Sequence, residues 1–574
     1  MKFFVQIVKK DIEMKSNWKL KPSKSEATDL IARLLAQRNI FTSEDERVFF
    51  DPDYDQDMAD PFLLSEMDLA VKRIIEAGEK KERVCIFSDY DADGVTSAVM
   101  LTDFFNQLGI DNFCYIPNRN QEGYGLNFKA LDYIKEKGAK LVVTADCGIS
   151  NKEESKYCQK LGMDLIITDH HYVPAELPSA LAIINPGKKN DQYPFKELAG
   201  VGVAFKLVQA IAKTKKDYPK GKEKWFLDLV AVGTIADCVS MVGENRILAK
   251  FGLMVLAKTK RPGFQQMFQV GKMNIDENNL PNSHQVSFQI APRINAAGRM
   301  DHANLAFSLL GLPVGKDAQA RAMALDLEEQ NKKRQKITNF ITGEVERRIA
   351  SYDFMPKIII EKSPGWDLGI LGLAAGKLAS KFFRPVILLS ENKDVFKGSC
   401  RSIESFNMIE ALERNADFLL KYGGHSQAAG LEVTKANFQR FKKAMIDELE
   451  GYADENFVNN IYIDAEIKPE EITIDLVKKL SQFEPFGIGN TPPVFLLKNA
   501  QIIDKKTVGN GEGHLKIWIK VMGNSENVLE GIGFGLGDRI DELQVGRHFD
   551  IVCSLEENLW NGCNRLQLMV IDFE

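Results

Sequence analysis

A chain of 574 residues, 44% hydrophobic and 27% charged, can build about three or four domains with cores of their own. Its formal charge of -6 excludes an overall cationic field, so any nucleic-acid contact has to come from local basic clefts. Eight cysteines without a CxxC pair argue against a zinc ribbon and a disulfide scaffold, and fit a reducing cytoplasm.

The opening MKFFVQIVKKDIEMK holds an apolar stretch too short for a secretory segment, and nowhere do eighteen apolar residues run together. These features predict a soluble cytoplasmic protein with no membrane partner. Residues 1–62 read as an N-terminal helical segment. From residue 84 short β-rich runs alternate with helical stretches: VCIF, TSAVMLTDFFNQLG, FCYI, NFKALDYIKEKG, KLVVTAD, EESKYCQKLG and DLIITDHH. That alternation predicts a parallel α/β sheet. Three of its strands end in acid, so Asp91, Asp146 and Asp169 should converge along one carboxyl edge, where open α/β sheets bind ligands. The apolar WFLDLVAVGTIADCVSMVGENR reads as a helix delivering Asp237 into a Gly-rich loop near that edge.

APRINAAGRM reads as a Gly-containing loop offering Arg293, Asn295 and Arg299, which on its own suits surface charge pairing more than the phosphate contact for which Arg offers a planar fork of donors. Ile337, Phe340, Ile341, Val345 and Ile349 then recur at helical spacing on a charged surface, the pattern of a long helix joining two lobes. A second α/β lobe follows through PKIIIEK, LGILGLAAGKLASKF and RPVILLS. Its turns KGSCRS and YGGHSQAAG carry Ser399, Arg401 and His425. In the tail, HLKIWIKV alternates Leu515, Ile517, Ile519 and Val521 with His514, Lys516, Trp518 and Lys520, which predicts a small antiparallel β-barrel. Lys516, Trp518 and Lys520 share the outward face, a mixture suited to tracking a backbone and stacking bases.

FSDYDADGVTSA sets Asp89, Asp91 and Asp93 on alternate positions before a glycine. On its own this suits a solvated acidic turn as well as a hard-cation site. ITDHH shifts the balance, because His170 and His171 follow a strand-end aspartate and one imidazole can serve a metal while the other faces a substrate. With Asp91, Asp93, Asp146 and Asp237, the nitrogen and oxygen donors suit one or two Mn²⁺ or Mg²⁺ ions, and no thiolate favours structural zinc.

In order along the chain, DYDADGVTS, TADCGIS, ITDHH, LVAVGTIADCVSMVGENR, APRINAAGRM, KGSCRS, YGGHSQAAG and FEPFGIGNTPPVF resemble the motifs of the RecJ single-strand-specific exonucleases within the DHH phosphoesterases. The resemblance implies a parallel-sheet DHH catalytic domain at 63–320 and a connecting helix at 321–350. A DHHA1-type domain would follow at 351–452 and an OB-like barrel holding single-stranded DNA at 453–574. It implies metal ligation by Asp91, Asp93, Asp146, His170 and Asp237, with Asp146 able to bridge two ions. His171 would face the scissile phosphate and Asp89 would orient the loop. Arg119, in IPNRNQEGYGL, resembles the residue that meets a 5′-terminal phosphate. Ser399, Arg401 and His425 would hold that terminus from the second lobe. Relatives often carry histidine where Phe87 stands, so the first metal lacks one ligand here. They also carry histidine where Asp367 stands, beside Trp366, which suits either base stacking or a buried anchor.

The implied activity is 5′ to 3′ hydrolysis of single-stranded DNA to 5′-mononucleotides in repair and recombination, alongside a single-strand-binding protein and a RecQ-type helicase. Two other functions compete with it. A DHH phosphodiesterase of short oligoribonucleotides or cyclic dinucleotides would have little use for the barrel. An inactive DNA-binding replication scaffold would have little use for the intact aspartate and histidine set.

Overall fold

A computed structural model describes residues 16–22, 24, 29–521, 528–560 and 563–574. The opening apolar stretch, and with it part of the expected N-terminal helical segment, lies outside them. The chain forms two compact units, and each is discontinuous. The first takes in residues 59–237 and 251–459, the second residues 16–58, 238–250 and 460–574.

The first unit contains two sheets. Its parallel sheet runs in the order Asn112–Tyr115, Arg83–Ser88, Ala139–Ala145, Asp164–Thr168, Ala182–Ile184. The inner strand Arg83–Ser88 carries Val84, Cys85, Ile86 and Phe87, all fully buried, because helices cover both faces of such a sheet and leave no solvated side to alternate with. Phe87 stacks on Tyr115 at 5.5 Å between centroids, so it forms a core aromatic pair. The helix Ala92–Gln107 follows Arg83–Ser88 directly, and Asp91 Oδ1 caps it by accepting from the N–H of Asp93 and Gly94. The helix Leu227–Ala236 ends at Asp237, as the apolar run predicts.

APRINAAGRM is a helix, Ala291–Met300, preceded by a π-helical turn at Val286–Ile290, and not the expected loop. Pro292 in its first turn and its alanines favour helix, and Gly298 lets it approach the carbonyl of Tyr90. The helix Asp317–Ile349 then leads to the second sheet, ordered Leu419–Gly424, Ala428–Thr434, Val395–Arg401, Val386–Asn392, Ile359–Ser363. Trp366 is 3% exposed and donates its Nε1–H to Glu344 Oε2 at 2.9 Å, so of the two roles open to it the structure shows the buried anchor.

In the second unit, Phe495–Val508, His514–Lys520, Val528–Gly533, Cys563–Phe573 and His548–Trp560 pair in a ring that closes when the last returns to the first. The expectation of an all-antiparallel barrel is corrected, because Val528–Gly533 and Cys563–Phe573 run parallel. Five strands cannot alternate direction around a closed ring, so one pairing must be parallel. Leu515, Ile517 and Ile519 point into the barrel and are buried, each contributing about 1.5–3 kcal/mol.

The N-terminal segment belongs to this unit and is not purely helical. Asn17–Leu20 pairs in parallel with Asn460–Ile463, and Trp18 Nε1 donates to Asp572 Oδ2 at 2.8 Å. The helices Leu30–Gln37 and Ser43–Phe50 bury Leu34 and Phe49 with Phe483 and Leu497. Arg246 ties three segments together, lying 3.9 Å from the Phe49 ring centre and donating to the carbonyls of Phe49, Phe483 and Pro485. No helix among the described residues is long and apolar enough to cross a membrane.

Candidate metal centre and phosphate pocket

The carboxyl edge of the parallel sheet gathers donors from four elements. Asp89 and Asp91 follow Arg83–Ser88, Asp146 the central strand Ala139–Ala145, His170 and His171 the strand Asp164–Thr168, and Asp237 arrives at a helix end. Three groups bring their ligand atoms within 4.8 Å of one another: Asp89, Asp91, Asp146; Asp93, His170, Asp237; and Asp146, His170, His171. His170 Nε2 lies 3.2 Å from Asp146 Oδ1 and 3.4 Å from Asp237 Oδ2.

These groups are dry and mutually repulsive. Asp89, Asp93 and Asp146 are at most 5% exposed, and burial together with the neighbouring aspartates raises the pKa of each. Asp93 is pushed up to about 7, and Asp237 to about 9 by the same two causes. His170 is pushed down to about 4 by burial and then by the adjacent His171.

Asp89 Oδ1, Asp146 Oδ1 and His170 Nε2 are buried with no hydrogen-bond partner. Unpartnered acceptors facing one another in a protein interior fit a divalent cation in both charge and donor type. Asp89, expected only to orient the loop, stands in that donor set. Asp146 holds a left-handed backbone (φ 61°), a strained conformation for a residue with a side chain. Gly200 lets Asp146 sit there, since a Cβ on Gly200 would lie 2.5 Å from Asp146 Oδ1. Asp93 also secures the next helix, accepting from the N–H of Gly200 at 2.7 Å and Val201 at 2.9 Å.

Two residues outside the predicted set hold His171. Asp169, fully buried, accepts from the N–H groups of Ile149, His170 and His171 and lies 2.8 Å from His171 Nδ1. Tyr124 donates to the Asp146 carbonyl at 3.2 Å and stands 3.1 Å from the same Nδ1. Burial, the largest single effect, disfavours the imidazolium of His171, but the Asp169 hydrogen bond together with the charges of Asp169, Asp89 and Asp91 outweighs it and the pKa is raised. An acid directly before the two histidines was a readable signal for Asp169; Tyr124 carried none.

The arginines divide into two kinds. Arg293 is paired with Glu328 at 2.7 Å, so the structure shows charge pairing where a phosphate contact was expected. Asn295 Oδ1 accepts from Ala92 N–H at 2.8 Å and so holds the first turn of the helix that Asp91 caps. Arg119, Arg299 and Arg401 instead lie near one another. Burial, then Arg119, pushes Arg299 down to about 9, and Arg401 is lowered by burial, with Arg119 adding to the effect.

Arg299 donates to the carbonyl of Gly369 at 3.1 Å, and Arg119 lies 4.8 Å from the Tyr90 ring centre. Ser399 and Arg401 rest against Gly372, where a Cβ would meet Ser399 Oγ at 3.0 Å and the Arg401 guanidinium at 2.9 Å. The group thus surrounds the first turns of the helix Leu368–Phe382, whose N-terminal dipole adds further positive potential. His425 is exposed in the turn between Leu419–Gly424 and Ala428–Thr434, and Ala428 stands opposite Arg401 in the sheet register.

On the barrel, Lys516 and Trp518 are half-buried and Lys520 is exposed. Lys506 and Lys516 both lie over the Trp518 ring, at 5.2 and 5.3 Å, and Lys516 also pairs with Glu530 at 2.5 Å.

Comparison with known proteins accounts for these parts. The DHH family N-terminal domain matches residues 83–234, the DHHA1 domain 355–451 and the RecJ OB domain 463–572. The chain is 36% identical to the single-stranded-DNA-specific exonuclease RecJ of Bacillus subtilis, spanning 95% of this chain and 68% of that one. It is 32% identical to the RecJ of Haemophilus influenzae, spanning 89% and 91%. The crystal structure of RecJ in complex with Mn²⁺ from Thermus thermophilus superposes with a TM-score of 0.81 at 26% identity, covering 97% of this chain and 79% of that one. A Mg²⁺ complex of the same protein gives 0.76 over 97% and 78%, also at 26% identity.

Proposed function

The chain belongs to the RecJ family of single-stranded-DNA-specific exonucleases, and on that premise we propose that it hydrolyses single-stranded DNA from the 5′ end and releases 5′-mononucleotides. The observation that supports this best is the set of buried, unpartnered Asp89, Asp146 and His170 atoms on one sheet edge. Asp89, Asp91 and Asp146 would hold one Mn²⁺ or Mg²⁺, and Asp93, His170 and Asp237 a second, with Asp146 shared. When bound, such ions polarise phosphoryl oxygens and lower the pKa of water.

The chain's own groups do the rest. Asp169 and Tyr124 engage Nδ1 of His171, which leaves Nε2 as the nitrogen that can donate to a phosphate oxygen or move a proton. Ser399, Arg401 and Arg119 hold the terminal 5′-phosphate, with His425 at the rim, and this pocket sets the direction of attack, because a metal cluster alone hydrolyses a diester from either side. Trp518, Lys516 and Lys520 hold the trailing strand.

A RecQ-type helicase, which supplies single strands, and a single-strand-binding protein, which keeps them open, are the partners this reaction calls for in cytoplasmic repair and recombination. Matches that include the OB domain speak against a phosphodiesterase of very short substrates, and the complete donor set speaks against an inert scaffold. The test is an assay of 5′-labelled single and double strands with and without Mn²⁺. Release of labelled mononucleotide from single strands, dependent on metal, is expected; release from the 3′ end or from duplex alone overturns the reading.

A further inference from the structure

Residues 213–226 carry six lysines against two carboxylates, in a chain whose net charge is -6. Lys213 pairs with Asp60 at 3.3 Å and Lys215 with Asp217 at 3.7 Å, and in the turn 258–261 Lys258 meets Glu277 at 3.7 Å. No carboxylate among the described residues pairs with Lys216, Lys220, Lys222 or Lys260. The segment is anchored from beneath. Tyr218 and Phe226 pack on Phe104 at 5.3 and 6.2 Å between ring centres, and Tyr218 Oη donates to Gln107 Oε1 at 3.2 Å. Trp225, beside the buried Phe226, is left 53% exposed. Lys222 and Trp225 stand three apart in the 3₁₀ helix Lys222–Phe226, where such positions eclipse, so they share a face. Lys222 Nζ lies 5.6 Å from the Tyr218 ring centre, and Lys260 Nζ lies 5.9 Å from that of Trp225.

This platform is remote from the metal centre. The helix Ala92–Gln107 begins at Asp91 and ends beneath Tyr218, about 24 Å away, and the helix Leu227–Ala236 spans about 15 Å between the platform and Asp237. Unpaired lysines beside an exposed indole suit a polyanion with planar groups, whose phosphates meet ammonium while a base stacks on the ring. A duplex offers phosphates but keeps its base faces stacked, and an acidic peptide offers charge but no plane. We propose that Lys220, Lys222, Lys260 and Trp225 form a second site for single-stranded DNA, which holds a strand that is not being cut. Its occupant lies out of reach of the metals. The site tethers the protein to single-stranded regions and so raises the local concentration of strand ends.

The test uses the full chain without metal and a labelled closed circle of oligothymidylate, which has no 5′ end to enter the hydrolytic site. Anisotropy is followed across a salt titration, and cleavage of a short 5′-labelled linear strand with Mn²⁺ is measured alongside. The wild type should bind the circle. The triple variant Lys220→Gln, Lys222→Gln, Lys260→Gln should reduce the log–log salt slope by about two, since each phosphate contact on a single strand contributes about 0.7. Trp225→Ala should weaken circle binding by about fivefold or more, the low end for a stacked base. Both variants should cleave the short strand at the wild-type rate. All four side chains are exposed, where substitution costs little stability.

Wild-type affinity and slope in both variants overturn the proposal. A parallel loss of short-strand cleavage also overturns it, because the patch would then lie on the path to the metals. Loss of binding to a labelled oligoaspartate, with circle binding intact, would make the partner an acidic protein instead. Circle binding is read without metal, so failure of the hydrolytic reading shows separately, as absent cleavage by the wild type.

Discussion

The carboxylate cluster and the arginine cluster of the first unit are charge images of each other, and they are built differently. Asp89, Asp91, Asp146 and His170 are short side chains set just past strand ends, with positions fixed by the sheet to within hydrogen-bonding precision. Arg119, Arg299 and Arg401 are long side chains from a loop, a helix and a strand. A bond-breaking centre needs rigid, dry, short-range ligands, whereas an end-recognition pocket needs charge that can adjust around a phosphate. On the proposed function, the acidic cluster would supply chemistry without direction, and the basic cluster direction without chemistry.

The sharpest break in that contrast is at Asp146. Asp146→Ala should lower turnover by more than about a thousandfold, beyond the 10–100-fold typical of outer-shell partners, while single-strand affinity stays nearly unchanged. Mn²⁺-dependent cleavage and fluorescence anisotropy check the two halves; substantial residual cleavage would remove Asp146 from its shared position. Next come the histidines. His171→Ala should reduce kcat by about 10–100-fold with little loss of Mn²⁺ affinity, and His170→Ala should reduce both. Calorimetric Mn²⁺ titration tells them apart, and equal losses of metal binding would reject the division of roles.

On the basic side the effects are smaller. Arg401→Ala should lower the preference for 5′-phosphorylated over 5′-hydroxyl strands by about tenfold, the low end of a charge-assisted bond of about 1.5–3 kcal/mol. An unchanged ratio with slower cleavage of both strands would make Arg401 a general DNA contact. The smallest effect belongs to the barrel. Trp518→Ala should weaken long-strand binding by about 1 kcal/mol, the lower range for a stacked base, because two lysines already cover its ring. Anisotropy on short and long oligonucleotides checks it, and equal losses on both would deny the barrel a role along the strand. Deleting residues 453–574 is a poor substitute, since it would strip the cover from Leu34 and Phe49.

Among the proposed metal residues, Asp91, Asp146 and His170 were legible because each follows an apolar β-run, and Asp237 because it ends an apolar helix. Arg293 shows the limit of such reading. In sequence it equals Arg299, and only its distance to Glu328 makes it structural. Asp89 illustrates the same limit within the acidic group. The resemblance implied an orienting role, yet its buried Oδ1 lies with the other donors. The stretch around Asn295 looked like a loop because of its glycine, which in fact serves a close approach of helix to backbone.

Periodicity, strand-end acids and turn residues are local properties, and they determined by themselves the parallel sheet, the long helix, the barrel's inward face and most of the donor set. Contacts between residues distant in the chain follow from packing, which no local pattern encodes. Only the tertiary structure therefore decided that residues 16–58 fold with residues 460–574, and that Asp169 and Tyr124 hold His171.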